Sequence, residues 1–149
     1  MKQGTILLVE DNVDDVELAL RAFDRNRVEN EIIVAWDGVE ALDYLFGTGK
    51  YAGRNAHDLP IVVLLDLKLP KLAGVEVLKR IRANELTRFL PVVILSTSQA
   101  EPDVTESYLR GANGYIAKPM SYERFAEVIR HFAGYWLGVN ESIPKSGKQ

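Results

Sequence analysis

The chain has 149 residues, 47% of them hydrophobic, a length that allows one buried core and is too short for two ordinary domains. Its 18 basic and 21 acidic residues give a formal charge of -3, without the basic stripe that nucleic-acid binding requires. Cysteine is absent, which excludes disulfides and thiolate metal sites, so we expect a cytoplasmic protein. A signal-peptide pattern and any apolar stretch near the ~20 residues that span a bilayer are also lacking, so we expect no membrane association.

The amino-terminal part of the chain predicts two strand–helix units. A continuous apolar run at residues 6–9 suits a strand that is buried on both faces. Asn12 is a suitable cap for a helix over 13–23, whose first turn is acidic. The apolar residues at helical spacing in that helix are Val13, Val16, Leu20 and Phe23. A second apolar run at 32–35 precedes a short amphipathic helix over 38–46.

The middle of the chain predicts a long loop, two strands and a helix. Glycines and a terminal proline indicate a loop over 47–60. The β-branched run at 61–65 is the clearest strand of the sequence. A helix is predicted over 75–82 and a fourth strand over 91–95.

The carboxyl-terminal part predicts one more strand between two helices. The first helix, over 101–110, has a weak pattern, and a short strand follows at 114–117. The last helix carries one apolar face between residues 125 and 136. We therefore expect one domain over 1–139, with a flexible tail at 140–149.

Strands and helices thus alternate five times along the chain. Right-handed crossovers between parallel strands place helices on both faces of a central sheet, which predicts a doubly wound α/β fold. In such sheets, the functional site lies outside the carboxyl ends of the strands. The residues that directly follow the predicted strands are therefore the candidates for chemistry.

Polar residues stand at these positions, namely Glu10, Asp11, Asp66, Ser96 and Lys118. Each alone could be a cap, a turn residue or a surface residue, but their order at successive strand ends favours one site. Three carboxylates at one edge repel one another unless they share a cation, which predicts a hard, oxygen-liking ion such as Mg²⁺. Such an ion can clamp a phosphoryl group that the lysine and the hydroxyl also contact. Asp66 is then the predicted nucleophile, forming an acyl phosphate.

Three motifs resemble the receiver domains of response regulators. They are Val-Glu-Asp-Asn at 9–12, Leu-Asp-Leu-Lys-Leu-Pro at 65–70 and Gly-Tyr-Ile-Ala-Lys-Pro at 114–119, and the resemblance covers roughly residues 5–134. It implies a flavodoxin-like strand order 2-1-3-4-5. It also implies a two-component phosphorelay, in which a sensor histidine kinase donates the phosphoryl group and the regulator catalyses its own phosphorylation and dephosphorylation.

The resemblance assigns roles to the first two motifs and to the hydroxyl. Asp66 resembles the phosphoacceptor, and Asp11 a direct Mg²⁺ ligand, with Glu10 acting mostly through water. The main-chain carbonyl of Lys68 is the remaining protein ligand that the family implies. Ser96 matches the switch hydroxyl.

The third motif resembles the part of the family that responds to phosphorylation. Lys118 matches the lysine that contacts the phosphoryl group, and the family implies a cis bond to Pro119. Tyr115 matches the aromatic residue that turns inward when the switch hydroxyl moves.

Within the family, the chain is most similar to the stand-alone regulators paired with cyanobacterial phytochromes. This similarity rests on the loop at 47–60 and on the aromatic carboxyl-terminal helix with Tyr135, Trp136 and Leu137. It implies a light-regulated histidine kinase as donor. Three apolar side chains at adjacent helical angles cannot all face one core, so we expect exposed apolar surface and a homodimer through this helix and its neighbours. The alternative is that these residues fold back on their own domain.

Two alternatives share parts of the pattern. A hydrolase with an aspartyl-phosphate intermediate typically has a second aspartate two residues after the nucleophile, where this chain has Lys68. An adaptor that keeps the fold without the chemistry would not need the complete set of strand-end groups. The phosphorylation switch is therefore the favoured hypothesis.

Overall fold

A parallel five-stranded sheet forms the centre of the structure, a computed structural model that describes residues 2–144. Its strands are β1 (Ile6–Val9), β2 (Ile32–Ala35), β3 (Val62–Leu65), β4 (Val92–Ser96) and β5 (Gly114–Ala117). Their order is β2-β1-β3-β4-β5, and each neighbouring pair is parallel. The predicted doubly wound fold with order 2-1-3-4-5 is confirmed. The end of the predicted tail, 145–149, lies outside the described residues.

Helices connect the strands and cover both faces of the sheet. They are α1 (Val13–Arg25), α2 (Gly38–Phe46), α3 (Gly74–Ala83), α4 (Glu101–Leu109) and α5 (Tyr122–Gly134). The loop predicted at 47–60 contains one 3₁₀ turn, Gly49–Tyr51, and a π-helical segment, Tyr135–Val139, continues α5. No helix between residues 2 and 144 combines the length and apolar character needed to cross a membrane.

The sheet separates two apolar layers. Side chains of β1 alternate between them, so that Ile6 and Leu8 pack with α1 and α5, while Leu7 and Val9 pack with α2 and α3. Helix α4 contributes least to either layer, because Ser107 is its only buried residue. Few buried apolar contacts make α4 the helix least firmly fixed to the sheet.

The buried face of α1 differs from its predicted face. Val16 and Phe23 are buried as predicted, but Val13 is 58% exposed and Leu20 is 38% exposed. Two alanines occupy the face instead. Because α1 packs against α5, small side chains allow the two helices to approach closely where larger ones would hold them apart.

The segment after α5 returns to the amino-terminal residues. The Lys2 amide donates to the Leu137 carbonyl over 2.7 Å, and Leu137 is completely buried. Trp136 is partly buried against the apolar layer between the sheet, α1 and α5, whereas Tyr135 is 47% exposed. The expectation that these three aromatic and apolar residues cannot share one core is confirmed, and Tyr135 and Val139 contribute exposed apolar surface.

Candidate phosphorylation site

The parallel register brings the carboxyl ends of the central strands to one edge of the sheet. Val9 of β1 pairs with Leu65 of β3, so the residues that follow them emerge side by side. Main-chain hydrogen bonds continue this register: the Asp66 amide donates to the Val9 carbonyl over 3.0 Å, and the Lys118 amide donates to the Ser96 carbonyl over 2.7 Å. The predicted strand-end residues therefore share one edge.

An acidic cluster occupies the middle of this edge. Glu10, Asp11 and Asp66 each offer one carboxylate oxygen, and these oxygens lie within 4.8 Å of one another. Glu10 and Asp66 are buried, with exposures of 3% and 7%, while Asp11 faces solvent. Carboxylate oxygens at such spacing fit a hard divalent cation that is open to water on one side.

Lys118 provides the positive charge of the site. Its ammonium lies 2.7 Å from Glu10 Oε1 and 2.9 Å from Asp15 Oδ2, but 3.8 Å from Asp66 Oδ2. The first two distances are hydrogen bonds, and the third is only an ionic contact. The lysine is therefore bound beside Asp66 rather than to it.

Asp15 is the residue of this site that sequence reasoning missed. Its position in the first turn of α1 indicated only a favourable interaction with the helix dipole. Its spacing from the end of β1 could have indicated its place in the site. Asn12 caps α1, and its side chain accepts a hydrogen bond from the Asp15 amide over 2.9 Å. An acid three residues after such a cap lies at the same edge as the strand-end groups.

Burial governs the protonation of the two inner carboxyls. It raises the pKa of both Glu10 and Asp66 above their ordinary values, and the nearby Lys118 ammonium offsets only part of this effect. Burial also opposes the charge on Lys118, but hydrogen bonds to Glu10 and Asp15 outweigh it and raise the lysine pKa. The two inner carboxyls therefore ionise less readily than ordinary carboxyls, while the lysine between them stays charged.

The free energy of unfolding of the metal-free protein is expected to fall as pH rises from the ordinary carboxyl pKa, about 4, through the raised folded values of Glu10 and Asp66. In this range, the folded protein binds more protons than the unfolded chain, because its carboxyls ionise later. Urea unfolding in a chelator at several pH values measures the slope. Asp66→Asn should reduce it, and parallel slopes for the two proteins would contradict this explanation.

The predicted switch residues belong to a hydrogen-bonded group around Ser98. The Ser98 amide donates to the buried Ser96 hydroxyl oxygen over 3.1 Å, and the Tyr115 hydroxyl donates to the Ser98 carbonyl over 2.8 Å. The Ser98 hydroxyl donates to Asp103 in α4. Sequence reasoning gave Ser98 no role, since a serine in a loop does not indicate which residues it will contact. The inward turn of Tyr115 on switching stays a prediction.

Two expectations from the family concern the main chain. The predicted cis bond before Pro119 is wrong for this structure, since no cis peptide bond occurs among residues 2–144. The trans form of such a bond is favoured by about 0.5–1 kcal/mol, and Lys118 reaches its carboxylates with it. Lys68 lies two residues after Asp66 in the β3–α3 loop. The role of its carbonyl as a metal ligand stays a prediction.

This arrangement on a doubly wound sheet defines a receiver domain. The chain belongs to the response regulator receiver domain family, whose model matches residues 6–130. It is therefore a receiver-domain response regulator of the two-component class.

Three relatives illustrate the similarity. The probable methanogenesis regulatory protein FilR2 of Methanothrix harundinacea is 42% identical over 137 residues, covering 92% of this chain and 86% of that protein. Response regulator Rcp1 of Synechocystis is 35% identical over 132 residues, covering 89% and 88%. The solved Mn²⁺-bound form of Rcp1 has a TM-score of 0.85 at 33% identity, covering 95% and 99%. The phosphorylated cyanobacterial phytochrome response regulator RcpA has a TM-score of 0.87 at 35% identity, with the same coverage.

Proposed function

We propose that this chain is a phosphorylation switch in which Asp66 accepts a phosphoryl group from a sensor histidine kinase. The observation that carries the proposal is the cluster of Glu10, Asp11 and Asp66 beside the Lys118 ammonium. Asp11 and Asp66, with the Lys68 carbonyl and Glu10 through water, would hold Mg²⁺. When bound, the ion offsets the negative charge of the phosphoryl oxygens.

The remaining chemistry belongs to side chains of the chain. An oxygen of the Asp66 carboxylate forms the new bond to phosphorus as the bond from phosphorus to the donor histidine breaks. The histidine nitrogen keeps the electron pair of the broken bond. Lys118 then contacts one phosphoryl oxygen and the Ser96 hydroxyl donates to another, which stabilises the acyl phosphate. Attack of water on phosphorus later breaks the bond from phosphorus to the Asp66 oxygen, which releases inorganic phosphate and returns the carboxylate.

The output of the switch is a change in protein contacts. The Ser96 hydroxyl accepts a hydrogen bond from the Ser98 amide, and Ser98 in turn contacts Tyr115 and α4. A movement of Ser96 toward the phosphoryl group therefore disturbs all these contacts. Helix α4 has only one buried residue and is therefore the element that such a disturbance moves most easily. The surface of α4 and β5 is the proposed region of change.

The proposed donor is a phytochrome-type kinase in the cytoplasm. Similarity to RcpA over nearly the whole chain supports this pairing, as does the long loop at 47–60. FilR2 is named as a probable methanogenesis regulator rather than a phytochrome partner. The test therefore compares phosphotransfer rates from a phytochrome kinase and an unrelated kinase. Equal rates from both would contradict the pairing.

We also propose that residues 1–139 form one receiver domain that dimerises through the last helix, followed by a tail at 140–149. The exposed side chains of Tyr135 and Val139 supply apolar surface for this contact. Light scattering at high micromolar concentration is expected to give twice the mass of the chain. Tyr135→Glu should reduce it to one chain, and a monomer mass for the wild type would contradict the dimer.

Intact mass spectrometry after incubation with acetyl phosphate tests the switch itself. The wild type is expected to gain one phosphoryl group with Mg²⁺ and none in a chelator, and Asp66→Ala should gain none in either. Steady release of phosphate from small phosphate esters would instead indicate a hydrolase. No gain under any condition would favour the adaptor.

A further inference from the structure

We infer that Asp15 is a positioning residue that holds Lys118 away from Asp66 in the unphosphorylated protein and competes with the phosphoryl group for it. This inference rests on the proposed phosphorylation of Asp66. It concerns the first turn of α1, which neither the sequence motifs nor the acidic cluster includes.

The hydrogen bonds of the Lys118 ammonium carry the inference. An ammonium has three N–H donors, and here one is bound to Glu10 at 2.7 Å and one to Asp15 at 2.9 Å. The distance to Asp66 is 3.8 Å, which exceeds a hydrogen bond by about 1 Å. Lys118 therefore forms no hydrogen bond to the Asp66 oxygens, but its ammonium stays close enough to reach a phosphoryl group bound there.

The main chain fixes Asp15 in this position. Its amide donates to the Asn12 cap, and α1 packs along α5, so the carboxylate is held by a helix rather than by a loop. The Asp15 side chain is 37% exposed, whereas that of Lys118 is 13% exposed. Water can hydrate Asp15 after the lysine leaves, which makes it the partner that Lys118 gives up at least cost.

One side of the Lys118 side chain, the side toward α1 rather than toward Asp66, borders open space. A cavity of about 60 Å³ lies between α1 and the β5–α5 loop, and its lining includes Asp15, Lys118 and Met120. The Lys118 stem is therefore not closely packed on this side. A phosphoryl group brings about two negative charges next to the ammonium, which then moves about 1 Å toward it and releases Asp15.

The inference predicts the direction in which one substitution changes the affinity for a phosphoryl mimic. Asp15→Asn removes the competing charge while keeping the amide that donates to Asn12. The affinity of the Mg²⁺-loaded protein for beryllofluoride, a phosphoryl mimic that binds aspartate, is expected to rise about three- to fivefold, the upper part of the range for one partly exposed ion pair. Amide NMR titration measures this affinity.

Two variants separate positioning from general charge. Asp14 is the adjacent acid on the exposed side of the same helical turn, so Asp14→Asn removes an equal charge without touching the lysine. It should leave the affinity within twofold of the wild type, by the same scale for exposed charges. Asp15→Glu keeps a carboxylate for Lys118 and should also stay near the wild type. Thermal unfolding of the metal-free proteins confirms that all variants are folded.

The outcomes distinguish the inference from the function on which it rests. Equal affinities of Asp15→Asn and Asp14→Asn, or a weaker affinity of Asp15→Asn, would overturn the role of Asp15 while leaving the switch intact. Absence of beryllofluoride binding by the wild type would overturn the proposed function and the inference together. A gain confined to Asp15→Asn supports both.

Discussion

Replacing Lys118 with methionine is expected to lower the free energy of unfolding at pH 7 by about 3 kcal/mol, the usual cost of breaking a buried ion pair. The ammonium is the positive partner of both Glu10 and Asp66, and burial already raises the pKa of these two carboxyls. Without the lysine, two buried negative charges face each other. Urea unfolding of the metal-free protein measures the loss.

The loss should depend on pH and on Mg²⁺. Near pH 4, the carboxyls of the variant take up protons and lose their repulsion, so the difference from the wild type should shrink. Mg²⁺ should restore part of it by supplying another positive charge. Lys79→Met, which removes an exposed lysine 3.6 Å from Glu76, is the control and should cause no measurable change. A Lys118→Met loss that is equal at pH 4 and pH 7 would contradict the electrostatic account.

Replacing Gly74 with alanine is expected to lower the free energy of unfolding by about 3 kcal/mol, at the upper end for overpacking, and to slow the proposed phosphorylation of Asp66. A Cβ atom at this position would lie 2.3 Å from the Asp66 carbonyl oxygen and 2.7 Å from Leu67 Cα. Both are main-chain atoms that cannot move aside without shifting the end of β3. The substitution therefore displaces Asp66, the proposed acceptor, as well as destabilising the fold.

Gly134→Ala is the matched control for Gly74→Ala. Apart from its chain neighbours and the backbone of its own helix, no atom lies within 4 Å of its added Cβ, and its φ of -60° and ψ of -39° are helical. Alanine should therefore stabilise the protein by about 0.5–1 kcal/mol. Thermal unfolding of the two variants should give shifts of opposite sign. Stabilisation by both substitutions would show that the close contact at Gly74 does not destabilise the alanine variant.

The strands and the residues that follow them were predictable because each strand is a short apolar run with a polar end. The position of Asp66 follows directly from that pattern and from the geometry of a doubly wound sheet. The exposed Val13 and Leu20 were not predictable, because helical spacing does not specify which of two overlapping faces packs on α5.

Side-chain partners formed the part of the site that the sequence could not specify. The hydrogen bond between Lys118 and Asp15 joins residues 103 positions apart and depends on how α1 packs against α5. The bond from Tyr115 to the Ser98 carbonyl depends likewise on the path of a loop. Such contacts follow from packing, which local patterns do not encode.

The most direct test of the central claim is to locate the phosphoryl group on the chain. Borohydride reduces an acyl-phosphorylated aspartate to homoserine, which peptide mass spectrometry can place by position. After incubation with a phosphorylated kinase or acetyl phosphate in Mg²⁺, conversion is expected at Asp66 and nowhere else. Conversion at Glu10 or Asp11, or a phosphoryl group on a residue that borohydride does not reduce, would contradict the account.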